Sequence, residues 1–138
     1  MTNQTKSLVV LFASLWLLAA VDDPLEYQLA VRDAGGTIPR DHVTVARFRS
    51  LLKQLAVGYT EKADRIAALT VWTQDKLREE GIQERLLTIM EGMNSILPNT
   101  KKQYAQFVAA YVVVRTKGMK HDEAIKGLQG ILDILNAR

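Results

Sequence analysis

A compact all-α bundle of about five to six helices, following a signal-like apolar segment at the N-terminus, is the fold class this sequence predicts. Three observations carry it. Apolar side chains recur at spacings of three and four along most of the chain after residue 24. Glycine, proline and short polar capping residues cut that pattern into helix-sized pieces. No alternating pattern competes: valines 112–114 favour strands, but the three-four spacing around them outweighs the preference.

The N-terminus is read first. Lys6 precedes an uncharged run over 7–21, and Asp22 and Asp23 follow it. A positive start, an apolar middle and a small-residue end, here Ala19 and Ala20, form the layout of a secretory signal. Leu18 departs from it, since a small residue is preferred there if the cut follows Ala20. The run is shorter than the ~20 residues that span a bilayer, which disfavours a lasting anchor. Residues 1–20 are therefore expected to be a signal peptide or, failing that, an N-terminal anchor; a buried core helix is the third reading. Either membrane reading leaves the remainder outside the cytoplasm, periplasmic or secreted.

Residues 21–138 are expected to form a single helical domain, a length that suits one core. A first helix is predicted over 24–33, with Asp23 as cap, Pro24 in the first turn and Glu26 reaching back. Gly35 closes it and Pro39 delays a restart. Asp41 is the expected cap of a second helix over 42–57, with Val45, Phe48, Leu52 and Leu55 inward and Gly58 as its stop. Thr60 is the expected cap of a third over 61–80, with Ala63, Ile66, Thr70, Thr73 and Leu77 on one face, Leu69 beside it, and Gly81 closing. The fourth is predicted over 82–97, burying Ile82, Leu86, Ile89, Met90, Met93 and Leu97. A capping box of Thr100 and Gln103 opens the fifth, which runs to 116 with Tyr104, Phe107, Val108 and Tyr111 as its stripe; Gly118 ends it. The sixth covers 121–136 and buries Ala124, Ile125, Leu128, Ile131, Leu132 and Leu135.

Several chemistries find no support in the residues. There is no cysteine, so disulfides and thiolate sites are excluded. No phosphate-cradling glycine loop, HExxH, EF-hand loop or nucleophile elbow is present, and no cofactor or metal is expected. The two histidines, His42 and His121, lack ligand spacing, so either becomes functional only through tertiary contacts. Glu84 and Glu91 are one heptad apart and can share a face, as solvated surface or as paired carboxylates. Net charge is +3, with 18 basic side chains interleaved among 15 acidic ones. Arg40, Arg47, Arg49 and Lys53, or Lys101, Lys102, Lys117 and Lys120, can gather into patches. Stacking aromatics and a groove-binding motif are missing, which argues against nucleic acid as a partner.

Trp72, Tyr104 and Tyr111 are the candidate partner-binding residues. Trp72 falls off the inward stripe of its helix and suits a partner anchor. The tyrosines are read as core by their spacing, with an interface as the alternative in which their tips meet water. The leading functional expectation is an exported, non-enzymatic helical protein that binds another protein or a cell-envelope component. Three alternatives stand beside it: an enzyme with a dispersed carboxylate and histidine site, a membrane-anchored helical module in contact with lipid through 7–21, and a basic nucleic-acid binder. Convergence of Glu84, Glu91 and a histidine on a concave pocket would favour the enzyme.

Overall fold

The computed structural model describes residues 23–136. The segment expected to act as signal or anchor, and the lipid contact expected through 7–21, lie outside the described residues. The described residues form six helices and no strand: α1 (Leu25–Ala34), α2 (Val43–Gly58), α3 (Ala63–Glu79), α4 (Leu86–Ser95), α5 (Tyr104–Thr116) and α6 (His121–Asn136). The all-helical expectation holds, and the observed bounds differ from the expected ones mainly at helix starts. Among the described residues no helix is long and apolar enough to cross a membrane.

Chain contacts divide into two units at Arg49 and Ser50. In the first unit, α1 buries Tyr27, Gln28, Leu29, Ala30 and Val31. It ends where the Gly36 amide donates to the Val31 carbonyl and the Gly35 amide to that of Arg32. This closure needs the left-handed backbone that Gly35 adopts at φ 74°. Pro24 rather than Asp23 occupies the cap position, and no side chain caps the helix. The carboxylates expected to cap are engaged elsewhere: Asp23 pairs with Arg40, and Glu26 accepts from Arg49 at 3.1 Å. Arg40 also stacks over Tyr27, whose hydroxyl donates to the Ile38 carbonyl at 2.9 Å. Two members of the expected basic patch are thus already in ion pairs. At the start of α2 it is His42, not Asp41, that caps, its Nδ1 accepting from the Thr44 amide at 3.2 Å.

In the second unit, α3 packs on α5 and α4, and α6 packs on α5 and α4. Ile66, Val71, Leu77, Leu86, Ile89, Met90, Met93, Val108 and Leu128 are buried there, along with Leu51, Leu52 and Leu55 from the end of α2. Tyr59 sits among them, its ring edge-on to Tyr104 and Phe107 and its hydroxyl donating to the Met93 carbonyl. The turn after α2 runs beside the turn before α5, where the Thr60 amide donates to the Lys102 carbonyl.

Two expected caps are absent here, and the juxtaposition supplies a substitute for one of them. Thr60 does not cap α3, and the expected Thr100–Gln103 box does not form: neither helix has a side-chain cap bond of its own. Instead the Glu61 carboxylate reaches α5 and accepts from the Tyr104 amide at 2.7 Å and the Ala105 amide at 2.8 Å. An anion at the amino end of a helix satisfies orphan donors and meets the positive end of the dipole. Burial alone would raise the Glu61 carboxyl, but these two amides and the Thr60 hydroxyl outweigh it and hold the group below its ordinary value.

The inward stripes need two corrections. Leu97 is 38% exposed, and Ile96 is buried in its place, because α4 stops at Ser95 and the register changes. Gly58 is the last residue of α2, as its expected role as a stop requires, and Leu97 lies over its bare Cα, where a Cβ would collide with the Leu97 side chain. On α6 only Ala124, Leu128 and Leu132 are buried, while Ile131 and Leu135 are 56% and 51% exposed.

Candidate functional site

The described residues converge on one polar cluster, built on α5 and the start of α6. Tyr111 and Arg115 are four apart on α5 and so lie one above the other on the same face. Gly118, at φ 103°, turns the chain and brings His121, the first residue of α6, back against them. Across from α5, the segment before α4 presents Glu84, whose carbonyl is held at 2.9 Å by the Gln74 side-chain amide.

These four side chains form a continuous chain of hydrogen bonds. Arg115 donates from one nitrogen to the Glu84 carboxylate at 2.6 Å and to the Tyr111 hydroxyl at 2.8 Å. The Tyr111 oxygen lies 2.8 Å from Nδ1 of His121. Arg115 can only donate, so the single Tyr111 proton is free to point at His121. The network therefore assigns Nδ1 of His121 as an acceptor and places the neutral ring's proton on Nε2. The Arg115 side chain is only 10% exposed. Burial would lower its guanidinium, but the bond to Glu84 more than offsets that and raises it. Burial pushes the Tyr111 hydroxyl up to about 12, against the opposing pull of Arg115. Nε of Arg115 is buried without a hydrogen-bond partner.

His121 also lines an open cavity of about 370 Å³ with Glu91, Gly92, Ser95, Asp122, Ile125 and Lys126. Gly92 admits the imidazole: a Cβ there would be 2.8 Å from Cε1 of His121. Helix α6 is capped by Glu123, which reaches back to the Lys120 amide at 3.3 Å. Among the described residues no group of three or more His, Cys, Asp or Glu can hold a metal ion.

A model of the MoxZ family matches residues 26–131. The chain belongs to the MoxZ family. No curated protein and no solved structure matches it. The stretch matched to the family contains Glu84, Glu91, Tyr111, Arg115 and His121.

Of the three residues expected to meet a partner, the structure leaves only Trp72 accessible, and that one half-buried. Tyr104 and Tyr111 are completely buried. Their tips bond inside the protein, Tyr104 to the Thr70 hydroxyl at 2.7 Å and Tyr111 to Arg115 and His121. Neither ring offers surface to another molecule, so the core reading describes them. Glu84, Glu91 and His121 do come together, the first through Arg115 and Tyr111 and the second across the cavity. Arg115 was missed from sequence. The signal that could have found it is the Tyr111-to-Arg115 spacing ahead of a helix-ending glycine and a histidine.

Proposed function

We propose that this MoxZ-family chain is an exported, non-enzymatic accessory protein of methanol oxidation that acts by binding another protein or a cell-envelope component. The family match carries the reading, since the family's designation links it to methanol oxidation. The signal-like order of Lys6, the uncharged 7–21 run and the small residues Ala19 and Ala20 supports export. A half-buried Trp72 supports protein binding, because such rings anchor partners. The test is removal of the gene from the native host, with intact mass measured on the protein of the parent strain. Slow growth on methanol but normal growth on another carbon source, together with loss of about twenty N-terminal residues from the extracytoplasmic protein, is the expected result. Unimpaired methanol growth, or a full-length cytosolic chain, sinks it.

A second reading, an enzyme with a carboxylate and histidine site, is favoured by one observation: His121 lines a cavity with Glu91 and is linked to Glu84 through Tyr111 and Arg115. A histidine oriented by a hydroxyl that is itself held by a charged pair is the arrangement a proton-transfer catalyst needs. In that case His121→Gln abolishes turnover while leaving the fold intact, and the same substitution leaves the accessory role unaffected if the first reading holds.

A further inference from the structure

The exposed face of α6 is not that of an ordinary solvated helix. Gly127, Gly130, Ile131 and Ile134 follow the spacing of one helical face. Ile131 and Ile134 are 56% and 63% exposed. The two glycines are open: a Cβ at Gly130 would meet nothing within 4 Å, and one at Gly127 only the end of Met119 at 3.9 Å. Neither glycine adopts a positive φ. Nothing within the chain therefore requires glycine at either position, and both weaken the helix relative to alanine. The face thus combines two apolar projections with two hollows.

We propose that this face pairs with the same face of a second copy, the two α6 helices running antiparallel about a two-fold axis between residues 130 and 131. That register sets Ile131 against Gly130 of the partner subunit, and Ile134 against Gly127 of the partner subunit. Each projection fills a hollow, and the two helices approach closely because the hollows carry no side chain. Charge agrees with shape. Lys126 and Asp133 lie seven residues apart on one flank. Like flanks meet in an antiparallel pair, so each lysine faces the partner's aspartate with an axial offset of about 3 Å. A parallel pairing would instead put these flanks on opposite sides of the seam, where neither lysine meets an aspartate of the partner. This pairing is independent of the accessory role.

The test is sedimentation equilibrium on the full chain, with charge-swapped variants. Wild type should be in concentration-dependent monomer–dimer exchange. Lys126→Asp and Asp133→Lys each place like charges together and should weaken the dimer on the order of tenfold. Mixed in equal amounts, these two variants should recover the wild-type affinity as a heterodimer, because both cross-pairs are then opposite in sign. Gly130→Gln should abolish dimerisation while keeping or raising the thermal midpoint, since the hollow is filled and a better helix former is introduced. A wild-type chain that stays monomeric at its highest soluble concentration overturns the proposal. So does a dimer indifferent to all three substitutions, or one whose charge-swapped variants fail to recover on mixing. If the wild type is monomeric and Gly130→Gln instead abolishes binding to lipid vesicles, the face takes a membrane and the self-pairing is excluded.

Discussion

At the scale of single residues, Gly92 decides where His121 can sit. A Cβ there would lie 2.7 Å from Cδ1 of Ile125 as well as 2.8 Å from Cε1 of His121. Gly92→Ala should therefore displace the imidazole from Tyr111 and destabilise the protein by about 1–3 kcal/mol, the usual effect of overpacking. Nitrogen NMR of the His121 ring reads this directly, because the tautomer is held by the Tyr111 hydroxyl. An unchanged spectrum would mean that Ile125 alone gives way. Tyr111→Phe keeps the ring and removes the oxygen, leaving Nδ1 of His121 without its donor. A loss of roughly 1–3 kcal/mol and a mixed tautomer population are expected. The charged half of this cluster was not legible in the sequence. Tyr111 and His121 are separated by a turn, and Glu84 lies further off; only tertiary packing brings them together. The Tyr111 ring, by contrast, was readable as core, because its spacing from Tyr104 and Val108 places all three on one side of α5.

At the scale of helices, periodicity and the glycine stops at Gly35, Gly81 and Gly118 were legible, and the amino-terminal caps were not. The inward stripe of α2, Val45 to Leu55, and most of that of α4 follow from spacing alone, because burial of an apolar face is a property of the helix itself. The caps were sought among neighbouring residues, and the structure supplies one from a distance. Glu61 closes α5 across a turn, and no local rule identifies it. The sign of its pH dependence follows from its depressed value. Its contribution is present above the unfolded carboxyl value near 4.3 and is lost as pH falls through the lower folded one. Glu61→Gln should cost about 1–3 kcal/mol at neutral pH, and the gap between variant and wild type should close in acid. Urea denaturation at both pH values checks it; a constant gap would contradict the charge-assisted cap. The error on α6 has a different origin. Leu128 and Ile131 both fit the three-four pattern, yet only Leu128 faces α5 and α4. Leu128→Ala should destabilise by about 2–5 kcal/mol, and an unchanged thermal midpoint would remove it from the core.

At the scale of the whole molecule, the tyrosines set an alkaline limit on folding. Tyr59, Tyr104 and Tyr111 are buried with their hydroxyls bonded internally, and burial raises all three above the ordinary value of 10.0. For Tyr111 the value is about 12, and the other two lie higher. A folded state that holds its protons more tightly than the unfolded chain is fully stabilised below the unfolded value and loses that advantage as pH rises toward the folded ones. With three such groups, stability should fall by as much as about 4 kcal/mol per pH unit above roughly pH 10. Unfolding should be cooperative, with phenolate absorbance from these three rings appearing together with the loss of helical circular dichroism. Tyr104→Phe removes one titrating group and should reduce the slope by about a third, whatever the substitution does to stability at neutral pH. Phenolates that form while the helices persist would place these hydroxyls within reach of solvent in the native state, against the packing of Tyr59 on Tyr104 and Phe107 at the centre of the larger unit.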